Sequence, residues 1–273
     1  MITYPFEVDG TLTRIVEAGA GPAVLLVHGL GTRADRWRTA MDTLAAGGRR
    51  AIAFDLPGHG FARKGAGFEY SVPGYAEFIS KLLDALNLDS VALIGASLGG
   101  QAATFVAAKM PGRIESLTLV GSTGLTVLGA ETRLQTSRLL VDMSREAIRT
   151  RMQRGLRNLA LITDELVEED FRINNSPGAA ASFRALGGYF ANEIDDHTIS
   201  DLLIELDGHI PILLVWGTED AAVPLSVAEK AFARLNAAQF IKMTGTAHNP
   251  YMDQPDEFSR AVLEFFAEQK RGP

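Results

Sequence analysis

Short, almost wholly apolar segments recur along the chain, separated by longer segments in which apolar residues return every three or four positions. The short segments are typical of strands that are buried on both faces of a sheet. They predict strands over residues 23–27, 50–55, 91–95, 114–120, 211–216 and 240–243. The longer periodic segments are typical of amphipathic helices, and they predict helices near residues 34–46, 72–86, 101–108, 225–235 and 255–269.

Near the start of the chain, apolar and polar residues alternate over two segments instead. Residues 6–8 and 12–17 flank the dipeptide Asp9-Gly10. An Asp-Gly pair between two alternating segments is a strong signal of a tight turn between antiparallel strands. This part of the chain is therefore predicted to form a β-hairpin.

The pattern changes between residues 125 and 206, where only helical periodicity is found and arginines are frequent. The remaining strands alternate with helices, which predicts a mostly parallel sheet covered by helices on both faces. We therefore predict an α/β core formed by residues 1–124 and 207–273, with residues 125–206 as a helical insertion.

Composition narrows the classes of function. The 273 residues carry a formal net charge of −7, which argues against a nucleic-acid partner because such partners need a basic face. The absence of cysteine excludes disulfides, thiolate catalysis and zinc–thiolate sites, and it fits a cytoplasmic protein. No signal-peptide pattern opens the sequence, and no apolar run approaches the ~18–20 residues of a membrane span. We expect a cytoplasmic monomer or homodimer that binds a small molecule, without a membrane partner.

The segment Gly95-Ala-Ser97-Leu-Gly99 lies between a predicted strand and a predicted helix. A strand, a Gly-x-Ser-x-Gly sequence and a helix in this order form a nucleophile elbow. The turn holds the serine in a strained backbone conformation, and the two glycines lack the Cβ atoms that would collide there. Ser97 is therefore predicted to be a nucleophile, although the five-residue motif alone is common.

A serine hydroxyl reacts only when a neighbouring base takes its proton and a carboxylate orients that base. His248 follows the last predicted strand, where a loop can bring it to Ser97, so it is the predicted base. The other histidines are expected to have structural or solvent-facing roles: His28, His59, His197 and His209.

Asp220 lies in the loop after the strand that ends at Trp216, and we predict it to be the acid of the triad. Three other carboxylates are alternatives with weaker support. Glu219 is adjacent but would point away in an extended loop, Asp253 would require the loop to double back, and Asp55 is expected to brace the turn at residue 59.

Attack on a carbonyl places negative charge on oxygen, and two N–H donors must already point at that oxygen. The backbone N–H of Leu98 is one predicted donor, since it lies at the start of the helix after Ser97. The loop His28-Gly-Leu-Gly31 allows a close backbone approach, and it predicts the Leu30 N–H as the second donor.

Five motifs together carry a family resemblance: His28-Gly-Leu-Gly, Asp55-Leu-Pro-Gly-His-Gly60, Gly95-Ala-Ser-Leu-Gly-Gly100, Trp216-Gly-Thr-Glu-Asp-Ala-Ala-Val-Pro224 and Gly245-Thr-Ala-His248. In this order and spacing they resemble the α/β-hydrolase superfamily over the whole chain. The resemblance implies an eight-stranded sheet and makes residues 125–206 a helical cap. It implies the same roles for Ser97, Asp220 and His248, and for the Leu30 and Leu98 N–H groups.

Within that superfamily the chain is most similar to the capped group of carboxylesterases, lactonases and carbon–carbon bond hydrolases of aromatic ring-cleavage products. In the last class an aromatic residue commonly follows the catalytic histidine, whereas this chain has Asn249. A serine at the elbow also differs from the aspartate of related dehalogenases and epoxide hydrolases.

The sequence thus predicts a serine hydrolase without cofactor or metal, which cleaves an ester or lactone of a small molecule through an acyl-enzyme. An alternative is hydrolysis of a carbon–carbon bond in a vinylogous 1,5-diketone by the same residues. A second alternative is a non-catalytic ligand-binding protein, since the fold alone does not determine function. Acyl transfer or perhydrolysis is a further, weaker alternative.

Overall fold

The structure is a computed structural model that describes residues 1–271, with side chains up to residue 269. Eight strands form one sheet in the order β1-β2-β4-β3-β5-β6-β7-β8. The strands are β1 Ile2–Val8, β2 Thr11–Ala18, β3 Ala23–Val27, β4 Arg50–Phe54, β5 Val91–Ala96, β6 Ile114–Val120, β7 Ile212–Gly217 and β8 Gln239–Met243. All neighbours from β4 to β8 pair in parallel, which confirms the predicted eight-stranded, mostly parallel sheet.

The predicted hairpin is confirmed at one edge of the sheet. β1 and β2 pair antiparallel, with Val8 opposite Thr11. Asp9 and Gly10 both have positive φ, as the tight turns that join twisted hairpin strands require. The hairpin joins the parallel strands because β2 also pairs antiparallel with β4.

Eleven α-helices are found in residues 1–271. They are α1 Arg38–Ala46, α2 Val72–Ala85, α3 Leu98–Lys109, α4 Ala130–Val141, α5 Arg145–Gly155, α6 Asp164–Asn174, α7 Ala179–Asn192, α8 Ser200–Leu206, α9 Leu225–Phe232, α10 Pro250–Asp253 and α11 Pro255–Arg271. Two helix predictions are wrong at one end. Residues 34–37 form a 3-10 turn before α1, and the helix predicted to reach residue 235 ends at Phe232.

The sheet separates two apolar layers. Leu25 and Val27 of β3 face a cluster that includes side chains of α2, α3, α8 and α9. Val24 and Leu26 of the same strand face a cluster formed with α1 and α11. The central strands are apolar throughout because both of their faces are covered.

Five helices, α4 to α8, lie between β6 and β7, and this segment contains no strand. α8 packs on the core helix α3, and its residues Leu203 and Leu206 are buried in the same cluster as α3. The division into a core and a cap over residues 125–206 stays a prediction. None of the helices in residues 1–271 combines the length and apolar character that a bilayer span requires.

Candidate active site

Ser97 lies in the turn between β5 and α3, with φ 54° and ψ −122°. Residues other than glycine rarely adopt a positive φ, so the backbone is strained at Ser97. A Cβ at Gly95 would lie 2.4 Å from the carbonyl oxygen of Gly99, and one at Gly99 would lie 2.5 Å from the carbonyl oxygen of His28. Both glycines are therefore required by the close contact of strand, helix and neighbouring loop, which matches the geometry of a nucleophile elbow.

His248 and Asp220 are in direct contact. Nδ1 of His248 lies 2.8 Å from Oδ2 of Asp220, whose side chain is fully buried. The other carboxylate oxygen accepts hydrogen bonds from the backbone N–H groups of Ala222 and Val223, each at 2.8 Å. The carboxylate is thus held in one orientation, and in turn it orients the imidazole.

Ser97 and His248 line the same cavity. Among the described residues, no hydrogen bond joins Ser97 Oγ to His248 Nε2 directly. In enzymes without bound substrate, such catalytic contacts are often long and tighten when the substrate binds. The structure therefore brings the three residues of the predicted triad to one site, and their catalytic roles remain a prediction.

The two predicted oxyanion donors also lie at this cavity's end of the sheet. Leu98 is the first residue of α3, where helix geometry leaves the backbone N–H without a partner inside the helix. Leu30 lines the cavity next to Gly29. A Cβ at Gly29 would lie 2.9 Å from the Ser97 Cβ, so this loop passes directly beside the predicted nucleophile.

The alternative acids have other partners. Glu219 forms an ion pair with Arg157 at 2.7 Å. The loop after His248 does double back, and Asp253 accepts a hydrogen bond from the Ala247 N–H at 2.8 Å. The Asp253 carboxylate is not hydrogen-bonded to His248. Asp55 accepts from the N–H groups of residues 34 and 61 and so braces the turn after β4, as predicted.

His28 and His59 are both buried, and Nδ1 of each lies within hydrogen-bond distance of a backbone carbonyl oxygen, as expected for structural histidines. His28 Nε2 accepts from the Leu56 N–H at 2.9 Å, and its Nδ1 lies 2.7 Å from the Gly29 carbonyl oxygen. This arrangement requires a neutral ring with the proton on Nδ1. Burial lowers the pKa of His28 to about 4 and, together with the neighbouring His28, lowers the pKa of His59 to about 3.

His197 and His209 do not belong to the site. The Nδ1 atom of His197 lies 3.0 Å from the Tyr189 hydroxyl, so this histidine is partnered within the helical segment. His209 is exposed just before β7. Residues 1–269 contain no cluster of three or more histidine or carboxylate side chains that could hold a metal ion.

The cavity has a volume of about 230 Å³, and most of its wall is apolar side chains of α4, α5, α6 and α7 with the loop after β3. Its charged lining residues are Arg36, Arg151, Arg154 and Asp170. Arg36 donates to Asp170 at 2.6 Å, and burial together with neighbouring Arg33 lowers the pKa of Arg36 to about 10. This pair is not predictable from the sequence, since nothing in the sequence indicates a contact between residues so far apart.

The other two arginines of the cavity wall, Arg151 and Arg154, differ in their hydrogen-bond partners. Arg151 donates to the carbonyl oxygens of Leu139 and Asp142 and so holds the end of α4. Arg154 is exposed and forms no ion pair with the described residues. It is therefore the cavity-lining cation that stays available to a ligand.

Comparison with known proteins identifies the family. The family model of the alpha/beta hydrolase fold matches residues 22–255. One relative, the dihydrolipoyllysine-residue acetyltransferase component of the acetoin cleaving system of Pseudomonas putida, is 32% identical over 95% of this chain and 68% of its own length. A 2-hydroxy-6-oxo-2,4-heptadienoate hydrolase of Pseudomonas putida is 28% identical over 94% of each chain.

A solved structure supports the same assignment. The meta-cleavage product hydrolase from Pseudomonas fluorescens superimposes with a TM-score of 0.85 at 26% identity, over 97% of each chain. The fold, the nucleophile elbow and the match over residues 22–255 agree. The chain belongs to the α/β-hydrolase family.

Proposed function

We propose that this hydrolase cleaves a carbon–carbon bond in a vinylogous 1,5-diketone, the class of compound formed when an aromatic ring is opened. The observation that carries the proposal is similarity along nearly the whole chain to relatives that cleave such compounds. The 2-hydroxy-6-oxo-2,4-heptadienoate hydrolase matches over 94% of both chains, and a 2-hydroxymuconate semialdehyde hydrolase of Pseudomonas putida matches over 95% and 92%. These relatives support the carbon–carbon alternative better than the ester or lactone cleavage that the sequence analysis placed first.

The site residues account for the reaction as follows. His248 takes the Ser97 proton through Nε2, while Asp220 holds the imidazolium through Nδ1. Ser97 Oγ attacks the ketone carbon, and the oxyanion that forms accepts hydrogen bonds from the Leu30 and Leu98 N–H groups. A 2-hydroxy-6-oxo-dienoate first moves its hydroxyl proton to the carbon next to the ketone, which gives the vinylogous 1,5-diketone. Collapse of the oxyanion on this tautomer breaks the carbon–carbon bond, the electron pair of that bond passes into the conjugated enone, and the resulting dienolate takes the proton from His248.

A water molecule then attacks the acyl-enzyme with His248 again acting as the base. Cleavage of the Ser97 ester releases a carboxylic acid and restores the serine hydroxyl. One water is consumed for each carbon–carbon bond broken, and no electrons leave or enter the system. The reaction therefore needs no cofactor.

The volume and lining of the cavity are consistent with a small, largely apolar substrate that has one anionic end. Its volume of about 230 Å³ exceeds the ~150 Å³ of an apolar cavity that accepts benzene. We propose Arg154 as the partner of the substrate carboxylate, since an arginine can bind a carboxylate through two parallel hydrogen bonds. We also propose that residues 125–206 act as a cap, because α4 to α7 supply much of the cavity wall.

Cleavage of a neutral ester or lactone is the second candidate. It is favoured by the charge balance inside the cavity, where Arg36 and Asp170 are paired with each other. These two charges offset each other, and apolar side chains form most of the wall, which would suit a neutral acyl group.

Parallel assays separate the two reactions. We expect loss of the visible absorbance of a 2-hydroxy-6-oxo-dienoate, with a kcat/KM above that for p-nitrophenyl butyrate, and no turnover by Ser97→Ala. Turnover of the ester without turnover of the dienoate would establish the second candidate. Failure to turn over either compound, with tight binding of the dienoate, would indicate a ligand-binding protein.

A further inference from the structure

The loop that carries His248 is hydrogen-bonded to the end of α5, within the proposed cap. The loop runs from the end of β8 through His248 into α10. The residues on both sides of His248 form this connection. Ala247 is hydrogen-bonded to the Asp253 carboxylate, which also binds residues after α5, and Asn249 is hydrogen-bonded to Gly155 by its backbone and its side chain. The position of the predicted base is therefore tied to a segment about 95 residues earlier in the chain.

Asp253 connects the two segments through one carboxylate. Its Oδ2 accepts the Ala247 N–H at 2.8 Å, which closes the loop around His248. Its Oδ1 accepts the N–H groups of Arg157 and Asn158, both at 2.9 Å. Hydrogen bonds to a carboxylate are stronger than those between neutral groups, so the same charge holds the loop and the cap segment together.

Asn249 forms the second connection. Its backbone N–H and its Nδ2 both donate to the Gly155 carbonyl oxygen, at 3.0 and 3.1 Å. The amide is fixed in this orientation because its Oδ1 accepts from the Tyr251 hydroxyl at 3.0 Å. Burial raises the pKa of Tyr251 well above its ordinary value, so the hydroxyl keeps its proton and remains a donor.

The rest of this contact is buried and close-packed. Tyr251 is almost fully buried and stacks on Trp37, with ring centroids 3.8 Å apart. A Cβ at Gly155 would lie 2.6 Å from Asn249 Nδ2, so glycine is the residue that allows this approach. His248, Asn249 and Gly155 all line the cavity.

We propose that Asn249 and Asp253 are positioning residues, which place the His248 imidazole by tying its loop to residues 155–158. The reactivity of Ser97 then depends on the cap segment being seated on the loop. The inference rests on the roles proposed for Ser97 and His248, and it is independent of which bond the enzyme cleaves. It also gives Asn249 a role that an aromatic residue without a side-chain amide would not perform.

The test measures the rate at which a fluorophosphonate labels Ser97, because this rate reports the activated serine whatever the substrate. Asn249→Asp keeps the size of the side chain but removes the donor to Gly155. Gly155→Ala disturbs the same contact from the cap, without a change in the loop. We expect each variant to lower the labelling rate by about 10- to 100-fold, the cost of a small misplacement of a catalytic group.

Matched controls and a conservative variant separate positioning from general stability. Gly188→Ala in α7 and Asp256→Asn in α11 change exposed residues, and they should label at the wild-type rate. Asp253→Asn should lower the rate, and Asp253→Glu should restore part of it because the carboxylate is kept. Circular dichroism and thermal unfolding confirm that each variant is folded at the assay temperature.

With any substrate that is turned over, kcat should fall more than KM rises in the Asn249 and Gly155 variants. Wild-type labelling rates in folded Asn249→Asp and Gly155→Ala would overturn the proposal. Absence of labelling in the wild-type protein would overturn it together with the roles of Ser97 and His248. Normal labelling with no turnover of the dienoate would overturn only the proposed carbon–carbon activity.

Discussion

Gly121, at the end of β6, lies so close to His248 that a Cβ at residue 121 would be 2.9 Å from the imidazole Nδ1 and 2.9 Å from the His248 carbonyl oxygen. Its φ of +52° also disfavours any residue other than glycine. We expect Gly121→Ala to displace the imidazole and to lower kcat by about 10- to 100-fold. Steady-state kinetics measure the effect.

Gly112→Ala is the control for this substitution, since a Cβ at residue 112 meets no atom within 4 Å. It should keep the wild-type kcat. An unchanged kcat in a folded Gly121→Ala variant would show that His248 does not depend on this contact.

Asp220→Asn should lower kcat by roughly 10⁴-fold with little change in KM, because an amide no longer holds the imidazole in the required tautomer. The adjacent Glu219→Gln tests the alternative acid and changes only a surface ion pair with Arg157. We expect it to keep kcat close to that of the wild type. The reverse pattern, with a large loss in Glu219→Gln, would assign the acid to residue 219.

Arg154→Gln should raise KM for an anionic dienoate by about 10-fold, the cost of losing a hydrogen bond to a charged group. KM for a neutral p-nitrophenyl ester should not change, because that substrate has no carboxylate to bind. Arg184→Gln removes an exposed arginine from α7 and serves as the control. Equal changes in KM for both substrates would contradict the role proposed for Arg154.

Stability should fall as the pH falls from about 6.5 towards 4, because His28 and His59 are buried in the neutral form. Their folded-state pKa values lie below the ordinary 6.5, so the unfolded chain binds more protons in this range and acid favours unfolding. Each histidine should contribute a slope of up to roughly 1.4 kcal/mol per pH unit.

Urea unfolding between pH 7.5 and 4.5 measures this slope. Burial alone would raise the pKa of Asp35, but its arginine partners outweigh burial and lower this pKa to about 2. Protonation of Asp35 therefore changes stability only below this pH range. His28→Asn should lower stability at pH 7.5 and also reduce the slope. A free energy of unfolding that does not change over this pH range would contradict the assignment of both rings as neutral braces.

The positions of the candidate site residues could be predicted from the sequence because each residue of the predicted triad follows a strand. Ser97 follows β5, Asp220 follows β7 and His248 follows β8, and these strands are parallel and close together in the sheet. The carboxyl ends of parallel strands meet at one edge, so local motifs were enough to bring these residues together. The strands themselves were predictable because burial on both faces leaves them almost entirely apolar.

The remaining features depend on contacts that leave no periodic signal. Asn249 and Gly155 meet through one amide and one carbonyl group, and neither residue type indicates its partner. The helix predicted from residue 34 begins as a 3-10 turn, where the Ala34 N–H donates to the distant Asp55 carboxylate. Arg36 and Asp170 are 134 positions apart, and either could equally have faced solvent.

The most direct measurement is site-mapped mass spectrometry of the protein after reaction with a fluorophosphonate. We expect a single adduct on the peptide that contains Ser97, absent from Ser97→Ala and formed far more slowly in His248→Ala. An adduct on another serine, no adduct at all, or an equal rate in His248→Ala would contradict a hydroxyl at residue 97 activated by the His248–Asp220 pair.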